Sequence, residues 1–309
     1  DKTKAKSKIV IKIEKIFLLF KDDLIANFSN FEIFYFFKSN KRILLFLIQE
    51  KILIIDELIA SNIIEDTKFN IRNYIQYFFF DIKKFFGDFI IQTFSIDSIE
   101  SYNEKRKIGE NDDEICYLIR KDLIDEFISY VKKNNYPLNS KINQSIFETN
   151  NFILKKEPAL IEYASFFGST QIFKYLYLNG VELTPSIWIY AMHCDNPEMI
   201  HLLIENNLKP EGNSYHLCLK ESIKCYNNDI ANYLINNFLN DEINNKNLMP
   251  SNDYNDNLIA YSFRYHNYAF FPKDFNHKFI FFYSCQYDYL KFVKILFREK
   301  QINLKGTLI

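Results

Sequence analysis

The sequence predicts an all-α protein, a helix-pair solenoid preceded by a helical N-terminal domain. Apolar residues recur at helical spacing through most of the chain. In the second half, a pattern of small, apolar and turn residues repeats at a spacing near that of known helix-pair repeats. Each unit is too short to bury a core alone, which is typical of stacked arrays that bind other macromolecules.

The clearest repeats lie between residues 157 and 237, and each has a small residue in a first helix and a leucine in a second. Ala164 and Leu176 recur 27 residues later as Ala191 and Leu203. Two further copies have Ser222 with Leu234 and Ser284 with Leu296. We expect the small column to let neighbouring helices approach closely and the leucine column to be buried.

Domain limits follow from changes in composition along the chain. Residues 1–97 are rich in Ile, Phe and Leu and predict a helical domain, in which the aromatic run 74–80 is also taken as helix. The charged stretch 98–113 is predicted to be a linker. The repeat array is expected over 114–309, beginning with a degenerate helix pair and containing an Asn-rich interruption at 236–257.

Composition limits the classes of function. A formal net charge of −1 gives no whole-chain attraction to nucleic acid or anionic membranes. Charge-free runs stop short of the roughly 18 residues that a spanning helix requires. Five cysteines without a CxxC pair predict a reducing compartment, hence an intracellular, cytoplasmic protein. Because the chain opens at Asp1 and ends inside an apparent repeat, we expect it to be a fragment.

Two segments resemble ankyrin repeats. Residues 168–180 are similar to the second helix and turn of an ankyrin unit, and residues 284–296 resemble the same element. Thr184-Pro185 is similar to the start of the ankyrin TPLH motif. However, Ser186-Ile187 replaces Leu-His, and the spacing from Pro185 to Ala191 is 6 where ankyrin has 4. This departure weakens the expectation of an ankyrin β-hairpin finger.

Residues 115–238 also resemble the domain of unknown function that precedes ankyrin repeats in a large family of trichomonad protist proteins. The segments 145–150 and 222–233 support this resemblance. It implies an interaction module followed by further ankyrin units, and it supplies no catalytic residues.

Known catalytic and metal-binding motifs are missing from the sequence. Six scattered glycines form neither a P-loop nor a dinucleotide fingerprint, and HExxH and GxSxG do not occur. His216, Cys218 and Cys225 can share one helix, and His193 and Cys194 lie in the preceding repeat, but a structural zinc site requires four convergent ligands. We expect buried thiols and partly exposed imidazoles there, with no metal and no cofactor.

Three other features have both a structural and a functional interpretation. Asp112, Asp113 and Glu114 suit the N-terminus of the following helix better than a catalytic carboxylate pair. Trp188 is expected in the core, with a binding anchor as the alternative. A basic tip that could bind phosphate is expected to be a solvated tail and comprises Lys2, Lys4, Lys6 and Lys8.

The predicted function is recognition of another protein, without catalysis, through the concave face and loop tips of the repeats. The candidate partner-binding residues lie at or near loop tips and are Glu182, Thr184, Trp188, Lys209, Glu211 and Asn213. A helical-repeat nucleic-acid binder is one alternative, although it would need a basic stripe. An enzyme within the N-terminal helices is the other, with no motif to support it.

Overall fold

A computed structural model describes residues 12–65, 71–86, 98–239, 253–271 and 277–298. These residues are predominantly helical, and no strand occurs among them. One isolated antiparallel bridge pairs Lys141 with Ala159. The all-α prediction is therefore confirmed. The chain divides into two compact units, Asp1–Leu160 and Ile161–Ile309.

The first unit is built from short helices that cover the predicted N-terminal domain and continue past it. The described helices are α1 (12–19), α2 (Lys21–Asn27), α3 (Asn30–Phe37), α4 (Lys41–Gln49), α5 (Glu57–Glu65), α6 (Ile71–Tyr77), α7 (Phe79–Phe86), α8 (Ile99–Ile108), α9 (Glu114–Lys121), α10 (Ile124–Asn134) and α11 (Asn151–Lys156). The aromatic run 74–80 lies in α6 and α7 and the turn between them, as predicted.

Helix α3 illustrates how the sequence sets these elements. It begins with a capping box, in which Ser29 Oγ accepts from the Glu32 N–H and the Glu32 carboxylate accepts from the Ser29 N–H. Its inner face then buries Ile33 and Phe34. The core of this unit is completed by side chains from α4 to α7, among them Leu44, Leu47, Ile59, Tyr77, Phe78 and Ile82.

The segment 98–113 differs from the predicted linker because it is largely helical and several of its charged side chains form ion pairs within the unit. Its main element is helix α8, whose Arg106 is 3% exposed and donates from Nη2 to Asp81 Oδ2 at 2.7 Å. After α8, Gly109 turns with φ +68° and its carbonyl accepts from the Thr149 N–H at 3.1 Å. The charged stretch is thus an integral part of the first unit, and the boundary between the compact units falls near residue 160.

The second unit consists mainly of consecutive helix pairs. Its described helices are α12 (Leu160–Phe167), α13 (Thr170–Leu178), α14 (Ile187–Ala191), α15 (Pro197–Glu205), α16 (His216–Lys224), α17 (Asn228–Leu234), α18 (Asp253–Tyr265), α19 (His277–Gln286) and α20 (Leu290–Arg298). The degenerate pair expected at the start of the array is also a helix pair, α9 and α10, but it lies within the first unit.

The two repeat columns occupy the positions that the sequence pattern indicates. All four small residues are 0% exposed: Ala164, Ala191, Ser222 and Ser284. The leucine column is equally buried, with Leu176, Leu203 and Leu234 at 0% and Leu296 at 5%. A larger side chain in the small column would therefore overpack the contact between neighbouring helices.

Within the second unit, a recurring turn ends the first helix of several repeats. Four residues after the small position the backbone is left-handed, at Gly168, Tyr226, His266 and Asp288. The next residue donates its N–H to the carbonyl of the small residue, as in the bond from Asn227 to Ser222 at 2.9 Å. The turn also shows that Ser262, which is 0% exposed, continues the small column in α18.

Asparagine side chains five residues after the small position connect three of the repeats to the preceding repeat. Asn196 Nδ2 donates to the Gly168 carbonyl at 3.0 Å, and Asn227 Nδ2 donates to the Cys194 carbonyl at 2.6 Å. In the next repeat, Asn267 Nδ2 donates to the Ile223 carbonyl of α16 at 2.9 Å. These bonds satisfy carbonyls at helix ends and fix the register between neighbouring pairs.

The Asn-rich interruption is only partly irregular. Residues 235–239 form a π-helical turn, and residues 253–257 begin helix α18, which corrects the prediction for that end of the segment. Residues 240–252 lie outside the described part of the chain. Helix α18 continues to Tyr265 and is followed by a short 3₁₀ turn at Tyr268–Phe270.

Candidate functional site

Two loops of the second unit form the walls of a surface groove of about 740 Å³. One loop follows α13 and the other follows α15, so they occupy equivalent places in consecutive helix pairs. The groove is lined by Tyr177, Gly180, Val181, Glu182, Leu183, Pro185, Asn206, Asn207, Leu208, Lys209, Pro210, Gly212 and Asn213. We call this feature the loop groove.

The loops share a local fold because the same turn ends both second helices. Val181 donates its N–H to the Leu176 carbonyl at 3.1 Å, and Leu208 donates to the Leu203 carbonyl at 2.9 Å. The left-handed residue of each turn is Gly180 or Asn207, the two residue types that best tolerate positive φ. The turn therefore places the residues that follow it at matching positions on the two walls.

Three of the predicted partner-binding residues come together in the loop groove. Glu182 and Lys209 are exposed and occupy the same repeat position on opposite walls, and Asn213 lines the groove beside them. Thr184 and Glu211 lie in the same two loops without lining the groove. Thr184 Oγ1 is 2.7 Å from Ser186 Oγ, and Glu211 begins a 3₁₀ turn.

The structure corrects the placement of Trp188 among the partner-binding residues. Its side chain is 0% exposed, so it offers no surface to a partner, and the core interpretation applies. Trp188 Nε1 donates to the Leu208 carbonyl at 2.9 Å, and its ring packs edge-on against Tyr215. Trp188 thus supports one wall of the loop groove from beneath.

A second, smaller groove of about 480 Å³ lies at the N-terminal ends of α15 and α17. It is lined by Asp195, Pro197, Ile200, His201, Tyr226, Asn227, Asn228, Asp229, Ile230 and Tyr233. Its ionised groups are acidic, whereas the loop groove carries one charge of each sign. None of the predicted partner-binding residues lines it.

The residues considered for zinc lie largely as expected, with Cys194 and Cys218 buried and His193 and His216 partly exposed, whereas the Cys225 thiol is only partly buried. Cys218 is buried, and burial raises its pKa to about 12. Within the described residues, one group has metal-ligand geometry, and it joins His193 and Cys225 with Glu221. Glu221 belongs to no recognisable sequence motif, although it lies four residues before Cys225 on one helix face.

Of the two remaining candidates, the acidic trio lies within the described residues. Asp113 is the N-cap of α9 and accepts from the Ile115 N–H at 3.3 Å, which confirms the capping interpretation. The basic tip lies outside the described residues.

No helix in the described ranges is long and apolar enough to cross a bilayer.

Comparisons with family models, curated proteins and solved structures found no match to this chain.

Proposed function

We propose that this chain is a non-catalytic protein–protein interaction module of the cytoplasm, built on an ankyrin-like solenoid. The partner binds at the loop tips, with the loop groove as the central contact. The burial of the small and leucine columns and the hydrogen bonds between consecutive turns support a stacked arrangement.

One observation supports the binding site above all others. Equivalent loops of consecutive pairs present a carboxylate on one wall and an ammonium group on the other, at Glu182 and Lys209. The hydrogen bond from Trp188 to the Leu208 carbonyl holds the second wall in place. A preformed groove reduces the entropy lost on binding, which favours recognition by side chains at its rim.

The chemistry of the groove favours a polypeptide partner. Its lining combines one charge of each sign with apolar side chains, including Leu183 and Pro185. A segment with a basic and an acidic residue in register would pair with both walls. Nucleic acid would gain little here, because the two charges cancel and phosphate binding depends on clustered cations.

The test compares two charge-swapped proteins of equal net charge. The groove variant contains Glu182→Lys and Lys209→Glu, and the matched control contains Glu126→Lys and Lys133→Glu on the exposed face of α10. Both variants should keep the parent's helicity. Affinity capture with mass spectrometry, followed by binding isotherms with each captured protein, measures which partners each variant retains.

We expect partners that bind the parent and the control but are lost by the groove variant. Equal retention by all three proteins would remove the loop groove from the site. Capture of nucleic acid with a steep salt dependence would replace the proposal by the nucleic-acid alternative.

A further inference from the structure

A compact cluster of three potential metal ligands lies between consecutive helix pairs. His193 follows α14, Glu221 belongs to α16, and Cys225 follows the last residue of α16. His193 Nε2 is 3.0 Å from Glu221 Oε1, and Cys225 Sγ is 3.2 Å from His193 Nδ1 and 3.6 Å from His193 Nε2. The Cys225 thiol lies 4.0 Å from Glu221 Oε1. The side chains of His193 and Glu221 are only 12% and 14% exposed.

These distances resemble the edges of a zinc coordination tetrahedron. Zinc bonds of about 2.0–2.3 Å to nitrogen, oxygen and sulfur imply ligand separations of about 3.4–3.6 Å. The edges of 3.0, 3.6 and 4.0 Å bracket those values, and coordination through Nε2 requires the Cys225 thiol to move away from Nδ1, its nearer ring nitrogen at 3.2 Å. The ring of His193 is already oriented by stacking on Phe166, with centroids 4.7 Å apart.

The electrostatics of the cluster favour a cation. Glu221 Oε1 lies 3.0 Å from His193 Nε2 and 2.7 Å from Lys224 Nζ, so this carboxylate oxygen already faces two groups of potential positive charge. A thiolate at Cys225 would add a second negative charge close by, and a divalent cation would neutralise both.

The same three groups, in the order thiol, imidazole and carboxylate, also suit a nucleophilic cysteine. Their position argues against that role. Cys225 is the C-cap of α16, where the negative end of the helix dipole destabilises a thiolate. The nearby Glu221 carboxylate has the same effect. A metal ion removes both penalties, whereas a catalytic thiolate would have to form against them.

We propose that His193 Nε2, Glu221 Oε1 and Cys225 Sγ bind a zinc ion, with solvent as the fourth ligand. A set of one imidazole, one carboxylate and one thiolate matches zinc better than the harder cations calcium and magnesium. The ion would join the pair α14 and α15, whose connection contains His193, to the pair α16 and α17. This site is independent of the loop groove and of the proposed partner.

Zinc binding has a defined proton balance. The Cys225 thiol loses its proton to solvent, and neutral His193 coordinates through Nε2 with its proton on Nδ1. Affinity should therefore rise with pH until the thiol is fully ionised. Lys224 Nζ, which is 2.7 Å from Glu221 Oε1, competes with the metal for the same oxygen. Because Lys224 is 44% exposed, it can turn into solvent when zinc binds.

The experiment uses the full chain and two metals. Zinc content is measured after dialysis, and Co(II) titration gives visible bands for tetrahedral coordination and a thiolate charge-transfer band. We expect about one equivalent of zinc, and affinity at least about 100-fold weaker in Cys225→Ala and Glu221→Gln. Cys285→Ala, which removes an exposed thiol, should bind like the parent. Lys224→Gln should bind several-fold more tightly.

Circular dichroism on every variant separates loss of the site from loss of the fold, and Glu221→Gln preserves side-chain shape. Zinc below about 0.1 equivalent in the parent would overturn the proposal. Binding that persists in both ligand variants would also overturn it. Fast alkylation of Cys225 in metal-free protein at neutral pH, with no cobalt bands, would replace the metal site by a nucleophilic thiol.

Discussion

The two compact units are both helical, but they bury different kinds of polar group. The first unit buries charged side chains, including Lys41, Arg106 and Glu148. Within the described part of the second unit, the buried polar side chains are all neutral and are Ser165, Ser169, Thr170, Ser222, Ser262, Asn267 and Ser284. The first unit thus depends on individual charge contacts, whereas the second depends on positions that recur from pair to pair.

The largest expected effect tests the recurring positions. Leu203→Ala should lower the free energy of unfolding by about 2–5 kcal/mol, because it leaves a cavity in a fully buried column. Leu178→Ala is the matched control, since Leu178 is 79% exposed, and should change stability by less than about 0.5 kcal/mol. Urea denaturation measures both. Equal effects would show that the leucine column is not a core feature.

The second prediction tests the individual charge contacts of the first unit. Asp81→Ala removes the carboxylate that pairs with Arg106 at 2.7 Å and leaves a buried guanidinium without that partner. We expect a loss of about 3 kcal/mol in denaturation experiments. Asp125→Ala, on the exposed face of α10, should leave stability nearly unchanged. A loss below about 1 kcal/mol for Asp81→Ala would contradict the importance of this ion pair.

The third prediction concerns pH. Burial lowers the pKa of Lys41 to about 8, against the opposing effect of Glu148. Between pH 8 and 10.5 the unfolded chain binds more protons at this site than the folded chain, so stability should rise with pH, by about 3 kcal/mol at most. Lys41→Met should remove this rise. A wild-type profile identical to that of Lys41→Met would contradict it.

The smallest expected effect separates two members of the small column. Ser222 Oγ donates to the Leu219 carbonyl at 2.8 Å, whereas Ser284 Oγ is buried without a hydrogen-bond partner among the described residues. Ser222→Ala should cost about 1 kcal/mol, and Ser284→Ala should be neutral or slightly stabilising. Thermal melts can resolve the difference. A larger loss of stability for Ser284→Ala than for Ser222→Ala would show that hydrogen bonding of the serine hydroxyl does not determine the effect at these positions.

The sequence predicted the features that depend on local periodicity. Helix pairs, the buried small column and the buried leucine column all follow from spacing along the chain. The role of Arg106 could not be predicted in this way, because its partner Asp81 is 25 residues distant and a charged stretch resembles a linker. Ser262 was missed because the repeat that contains it lacks a regular second helix.

The candidate sites show the same difference between features that follow from position along the chain and features that depend on tertiary contacts. Glu182 and Lys209 were predicted from their loop positions, but their convergence on one groove depends on how consecutive pairs meet. The burial of Trp188 was one of two alternatives that sequence alone left open. Glu221 and Cys225 share a helix face and could have been paired, whereas their contact with His193 requires the tertiary structure.

Hydrogen exchange with mass spectrometry, performed with and without a captured partner, tests the binding proposal most directly. The account predicts that added protection falls on residues 180–186 and 206–214, the two walls of the loop groove. Protection on residues 195–201 and 226–233 instead would assign binding to the smaller groove and contradict the account.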